Sequence, residues 1–363
     1  MQHAKLSPSS SARWLSCTGS VKAEQAFPSS TTSYAAEGTT AHALAELCLT
    51  TNDHPTKYIG QTLEGHIVDE DMAEHIAAYC AYVKSYSGVH LYEHRFSLTK
   101  WIPDSFGTSD AVVIDEANKT AHIIDLKYGK GVSVDAEQNT QAMLYALGVI
   151  DDLGFMYEFD TVVIHIYQPR IKNYSSWQTS TKYLLEWAEW VSQRAKETQL
   201  PDAPRTPSDK ACQWCKAKAT CKALLDHTHT VVMNDFDDLT SINPDTLTDN
   251  ELRVVMDNAK LIKSWLDAVE AHIFDKLNNG QAFDGYKLVE GRSTRTWQDE
   301  QQAAILLADK VPSDKLFTQK LISPAQAEKL LKNDKELFAS LVTKSAGKPT
   351  LVPSCDKRIA LND

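Results

Sequence analysis

The stretch that most constrains this chain is Gly107 to Gly131, GTSDAVVIDEANKTAHIIDLKYGKG. Ala111–Asp115 and Thr120–Asp125 are dominated by Val, Ile and Ala, and a four-residue polar loop, Glu116–Lys119, separates them. Apolar runs around a loop of that length predict a β-hairpin. Pairing Asp115 with Thr120 fixes the antiparallel register, and Asp110 then falls opposite Asp125. Side chains alternate along a strand, so Lys127 shares a face with Asp125. Two carboxylates and one ammonium thus meet at a strand end. Both strands are apolar on both faces, which predicts a hairpin inside a sheet rather than on its edge.

Such a meeting is costly. Two carboxylates roughly 5 Å apart repel by about 3 kcal/mol at an effective dielectric of ~20, and like charges opposed on a sheet destabilise it. Lys127 offsets part of this. A divalent cation would offset more, and oxygen ligands suit Mg²⁺ or Mn²⁺. The alternative from spacing alone is a hairpin end whose Asp and Lys are solvated.

Composition narrows the partners. The chain has 363 residues and a formal net charge of −11, which argues against a large surface that coats nucleic acid but leaves room for a local basic groove. No apolar run approaches a membrane span and MQHAKLSPSS lacks the pattern of a secretory signal. A cytoplasmic protein is expected. Seven cysteines, an odd number without framework spacing, point to metal rather than disulfides.

Along the chain, Ser7-Pro8 opens a helix running to about Cys17. EGTTAHALAELCL is a second helix with Thr39 or Thr40 as its cap, and it sets His42 and Glu46 on one face. A helix over Met72–Ser85 and a strand over Leu91–Leu98, containing Glu93, follow. After the hairpin, Asp135 with Gln138 reads as the capping box of DAEQNTQAMLYALGV. This would place Gln138, Gln141 and Tyr145 on one face. TVVIHIYQPR is a buried-type strand and Tyr183–Ala195 a helix carrying Trp187 and Trp190. The order predicts an α/β fold, a mixed sheet with helices on its faces.

ACQWCKAKATC brings Cys212, Cys215 and Cys221 together among Lys210, Lys216, Lys218 and Lys222. Three thiols so close predict a metal or a cluster. Zinc would take His227 or His229 as a fourth ligand; an iron–sulfur cluster would take a further cysteine from Cys17, Cys48, Cys80 or Cys355. From about Asn234 the style changes: a helix over Thr248–Asn278, a strand GYKLVEG and a helical, Lys-rich tail. The expected division is a core over 1–233 and a smaller, mainly helical domain over 234–363. In that domain Arg292, Arg295 and Trp297 form a local basic–aromatic spot suited to phosphate and base.

In order, His42, Glu93, GTSD with Asp110, IIDLK with Asp125 and Lys127, and QAMLY with Gln141 and Tyr145 resemble the RecB-like branch of the PD-(D/E)xK nuclease superfamily. The resemblance covers about Ser7 to Lys222. The naming proline is absent before Asp110, as is common in that branch. The whole chain, including GRSTRTW and LVPSCDKR, is similar to phage-encoded RecB-family exonucleases. The resemblance implies a restriction-endonuclease-like mixed sheet flanked by helices. It implies His42, Asp110 and Asp125 as metal ligands, Lys127 as part of the catalytic motif, and Gln141 and Tyr145 beside the site. It matches Cys17 to the lone early cysteine of the iron–sulfur members, so Cys17, Cys212, Cys215 and Cys221 would hold a [4Fe–4S] cluster, with Zn²⁺ as the alternative.

The activity implied is Mg²⁺- or Mn²⁺-dependent hydrolysis of DNA, most simply by an exonuclease acting on ends in phage recombination or repair. Other readings are a structure-selective endonuclease or junction resolvase on the same fold, and a non-catalytic DNA-end binder with a structural metal centre. No Walker A sequence is present. A separate helicase, or a single-strand annealing or single-strand-binding protein, is therefore an expected partner besides DNA.

Overall fold

The structure, a computed structural model, describes residues 4–27, 33–233, 249–288 and 336. Its centre is a five-stranded sheet of β3 (Val89–Ser97), β4 (Phe106–Asp115), β5 (Thr120–Leu126), β6 (Thr161–Gln168) and β7 (Asn173–Ser180), in that order. A two-stranded ribbon, β1 (Thr62–Leu63) and β2 (His66–Ile67), stands apart from it. All pairings in the large sheet are antiparallel except β5–β6. A parallel pair needs a long crossover, and the segment between β5 and β6 carries the helix α5 (Thr140–Leu153). The fold is thus a mixed α/β sheet flanked by helices, with the hairpin strands β4 and β5 internal, as their two-sided apolar character predicts.

The remaining helices are α1 (Ser11–Ser16), α2 (Ser20–Ala23), α3 (Ser33–Thr51), α4 (Glu70–Lys84), α6 (Thr181–Glu197), α7 (Asp209–Cys212), α8 (Lys222–Met233) and α9 (Asp249–Asn278). Strand alternation sorts the core into two layers. Val112, Ile114 and Ile123 pack with α5, α1 and α6, while Ala111, Val113 and Ile124 pack with α3 and α4. Helix α5 lies close on the sheet because Gly148 leaves no Cβ to strike Phe96, 2.6 Å from where one would sit. Edge strand β7 alternates half-buried and exposed residues. Its sequence, NYSSWQTS, carries one Trp and one Tyr and no aliphatic run, so periodicity does not announce it.

The hairpin register is as expected from Asp115↔Thr120 to Ala111↔Ile124. The helix starts differ. Ser7-Pro8 opens a single 3₁₀ turn, Pro8–Ser10, and α1 follows it. Helix α3 begins at Ser33, so Thr40 is interior, buried, and donates to Leu63 O at 2.8 Å. Asn139, not Asp135, caps α5, by accepting from Ala142 N. Gln138 stands outside that helix at φ +51°, while Asp135 receives Glu137 N and the Ser175 hydroxyl. Both residues suit a cap; the left-handed turn at Gln138 decides between them.

By packing, the chain divides into two compact units, Met1–Leu288 and Val289–Asp363. Helix α9 belongs to the first: Leu261 and Trp265 pack with Cys17, Cys212 and Leu224, and Lys218 Nζ donates to Ser264 Oγ at 2.9 Å. The boundary expected near Asn234 falls in 234–248, outside the described residues. Of the expected strand GYKLVEG, residues 285–288 are not in a strand, and 289–291 lie outside the described residues. Arg292, Arg295 and Trp297 lie outside them too. No helix among the described residues is long and apolar enough to cross a membrane.

Candidate metal and cysteine centres

Strands β3, β4 and β5 each bring one carboxylate to the same level. Tyr92 pairs with Ala111 and His94 with Ser109, so Glu93 lies opposite Asp110 without closing a ladder pair, its backbone turned to φ +43°. On the other side the β4–β5 ladder ends at Ala111↔Ile124, one step before Asp110 and Asp125. Asp110 Oδ2 instead accepts the backbone N–H of Leu126 at 2.7 Å. Three acids in a row interrupt the sheet here, in keeping with the cost of opposed like charges.

Two cations answer them from different directions. Helix α3 supplies His42, whose Nδ1 is 3.2 Å from Asp110 Oδ1 and 3.8 Å from Glu93 Oε1. Ligand atoms of His42, Glu93 and Asp110 all lie within 4.8 Å of one another. Lys127, just past β5, places Nζ 2.9 Å from Asp125 Oδ2 and donates to Asp125 Oδ1 at 3.2 Å. It also donates to Gln141 Oε1 at 2.9 Å. Gln141 in turn donates to Asp125 Oδ1 at 3.3 Å and to Tyr145 Oη at 2.8 Å. One turn of α5 therefore clamps the Asp125–Lys127 pair.

Burial works against charge throughout, and the neighbours reverse it in three of four cases. Desolvation pulls the His42 proton off, but Asp110, then Glu93 and Asp125, outweigh it and push the imidazole up to about 10. Desolvation likewise opposes the Lys127 ammonium, which Asp125 and Asp110 hold charged. Burial raises Asp110, yet His42, Lys127 and the Leu126 N–H bring it below the usual range. Asp125 stays raised: it is 2% exposed, and the repulsion of Asp110 adds to its burial.

A divalent cation fits this donor set. Asp125 Oδ2 is buried and receives no well-aligned hydrogen bond, its Lys127 contact being one of charge. A bound metal would displace the His42 proton, and Glu93, Asp110 and Asp125 would then outnumber Lys127 by two negative charges. His42, Glu93 and Asp110 would be the ligands, with Asp125 beside them. Glu93, which is not in the ligand set that the resemblance implies, thus stands at the centre. Its signal was the β3–β4 register, which sequence alone leaves open. Glu46, one turn beyond His42, feels Glu93 after its own partial burial, and its carboxyl is raised.

The cysteines converge elsewhere in the same unit. Cys17, Cys212, Cys215 and Cys221 line one small cavity together with Lys218 and Arg205. Cys17 Sγ accepts the Thr206 N–H at 3.3 Å. Burial raises the thiols of Cys17 and Cys212, and that of Cys215 to about 11. Neither His227 nor His229, both on α8, lines this cavity, and nor do Cys48 and Cys80. Four sulfurs around one cavity fit the ligand set of an iron–sulfur cluster. They would equally serve a four-cysteine zinc site.

Sheet and site together define a mixed α/β protein with a carboxylate–histidine–lysine centre on its sheet and a four-cysteine pocket beside its N-terminal helices. The chain belongs to the family described as Protein of unknown function (DUF2800), whose pattern matches residues 3–359. A solved structure described as "Crystal structure of SSO0001" is 11% identical and aligns over 57% of this chain and 95% of its own, with a TM-score of 0.22.

Proposed function

We propose that this protein is a divalent-cation-dependent deoxyribonuclease of the RecB-like PD-(D/E)xK kind, with a restriction-endonuclease-like core, acting on DNA ends. The observation that carries this reading is the meeting of His42, Glu93, Asp110, Asp125 and Lys127 at one level of three adjacent strands. Mg²⁺ or Mn²⁺, when bound, would supply a Lewis acid for the phosphate oxygens and a more acidic water. The residues do the rest. Lys127, paired with Asp125 at 2.9 Å, would present a positive charge to the developing phosphorane. Gln141 holds Lys127 and Asp125 in register and is itself held against Tyr145. Asp110 is oriented by the Leu126 N–H. The four cysteines would hold a [4Fe–4S] cluster that ties the N-terminal helices to the Cys212–Cys221 segment.

The test uses end-labelled linear DNA and covalently closed circular DNA, with Mg²⁺ or Mn²⁺. Linear DNA should be degraded and circular DNA spared. Cutting of the circle would instead favour the endonuclease reading on the same fold. Asp125→Ala and Lys127→Ala should each lower cleavage at least a hundredfold while the protein stays folded, as expected for lost electrostatic stabilisation of about 3 kcal/mol. Cleavage that persists in excess chelator, or in both variants, would refute the assignment.

A further inference from the structure

Between Cys212 and Cys215 stands Trp214, 70% exposed. Lone exposed apolar side chains are common and need no cause. This one is held outward. Its neighbours two back and one on, Cys212 and Cys215, turn into the cysteine cavity, and Cys215 N closes a turn on Cys212 O at 3.2 Å. Its carbonyl accepts from Arg13 Nη1 at 3.3 Å. The backbone that carries the indole is therefore held on both sides, with the ring turned to solvent.

The charge around it is also particular. In a chain of formal charge −11, the segment 209–222 carries Lys210, Lys216, Lys218 and Lys222 against Asp209 alone. Lys218 turns inward, to Gln213 O and Ser264 Oγ. Lys210, Lys216 and Lys222 are exposed. Glu24 is engaged with Arg13 at 2.9 Å and with Lys216 N at 2.8 Å, while Lys222 pairs with Asp226 at 2.6 Å, an exposed ion pair of the weak kind that a phosphate can replace. An exposed indole on an anchored backbone, in a segment with three exposed lysines, matches single-stranded nucleic acid, whose bases stack on aromatic faces while phosphates meet the cations. Base pairs inside a duplex are stacked on both sides and offer no such face.

We infer that Trp214, with Lys210, Lys216 and Lys222, is a stacking platform for single-stranded DNA outside the cleavage site. The inference rests on the nuclease reading for the choice of DNA, but its test does not depend on cleavage. Labelled oligo(dT) binding to the full-length protein is measured by anisotropy without divalent cation, alongside a blunt duplex. Trp214→Ala should weaken oligo(dT) binding about tenfold and leave the duplex unchanged, and Trp214→Phe should restore most of the loss. Replacing Lys210, Lys216 and Lys222 with Gln should reduce the salt slope by about 2.

Unchanged oligo(dT) affinity in Trp214→Ala would overturn the platform. So would equal losses for oligo and duplex, or a loss in both Trp214 variants that tracks bleaching of the visible absorbance, since the indole would then be a cover for the cysteine centre. The expected binding pattern in a protein that cuts no DNA would uphold the platform and refute the nuclease.

Discussion

Gly107 lacks a side chain because Tyr145 occupies the space. A Cβ there would lie 2.7 Å from Tyr145 Cε1 and 2.8 Å from Pro8 Cγ. Tyr145 Oη receives Gln141, and Gln141 spans Asp125 and Lys127. A methyl group at Gly107 would thus reach the charged pair through two side chains. Gly107→Ala should cost about 1–3 kcal/mol of stability, the usual range for overpacking, and lower cleavage at least tenfold. Tyr145→Phe removes one hydrogen bond and should cost only about 1 kcal/mol. Urea unfolding and cleavage rates check both; a Gly107→Ala protein with wild-type stability and turnover would show that the ring has room to move. The same residues show what sequence discloses. Asp110, Asp125, Lys127, Gln141 and Tyr145 were legible because they lie within one hairpin and the next helix, where local register suffices. The place of Glu93 among the ligands and the Gly107–Tyr145 contact were not, since each depends on how separate segments dock.

At the scale of elements, the sheet carries a second polar cluster away from the carboxylates. His122 on β5 and His165 on β6 meet at 3.1 Å between Nδ1 and Nε2, and Tyr82 Oη of α4 lies 2.9 Å from His165 Nδ1. Burial, with some help from His122, pushes His165 down to about 4, and burial lowers His122 as well. Both rings are therefore neutral when folded, whereas an unfolded histidine titrates near 6.5. Above that pH the two states bind the same protons and the fold is at full strength. As pH falls from about 6.5 toward 4, the unfolded chain takes up a proton that buried His165 refuses, so stability declines, by at most about 3 kcal/mol for this ring. His165→Gln should flatten that decline in denaturant titrations; equal slopes for the two proteins would assign the acid sensitivity elsewhere. These elements also divide by legibility. Strand β6 announces itself by TVVIHIYQ, but its partner β7 is an edge strand of Ser, Thr, Asn and Gln, and polar alternation alone does not mark a strand. Helix α5 was legible in its body and misplaced at its start, because Asp135 and Asn139 are both good caps.

Across the whole described unit, the N-terminal helices are joined to the last part of the core. Trp14 and Leu15 are buried in the main core, and Leu15 O accepts from Arg194 Nε at 2.8 Å. Gly19 N donates to Pro204 O at 2.9 Å, and Cys17 lines the same cavity as Cys212, Cys215 and Cys221. A group bound by those four sulfurs would close a loop of roughly 200 residues, which in the chain-entropy treatment restrains the unfolded chain by about 5 kcal/mol. That is of the same order as the N-terminal hydrogen bonds to the 194–216 region taken together, at about 1 kcal/mol each. The centre should therefore act as a clasp. Protein purified without oxygen should be brown, with broad visible absorbance. Cys17→Ala should bleach it, lower the unfolding midpoint and open the first 20 or so residues to protease, while Cys48→Ala, outside the cavity, should leave the colour intact. A colourless protein with stoichiometric zinc, indifferent to Cys17→Ala, would dismiss the iron–sulfur clasp and leave the carboxylate centre to be judged on its own assays.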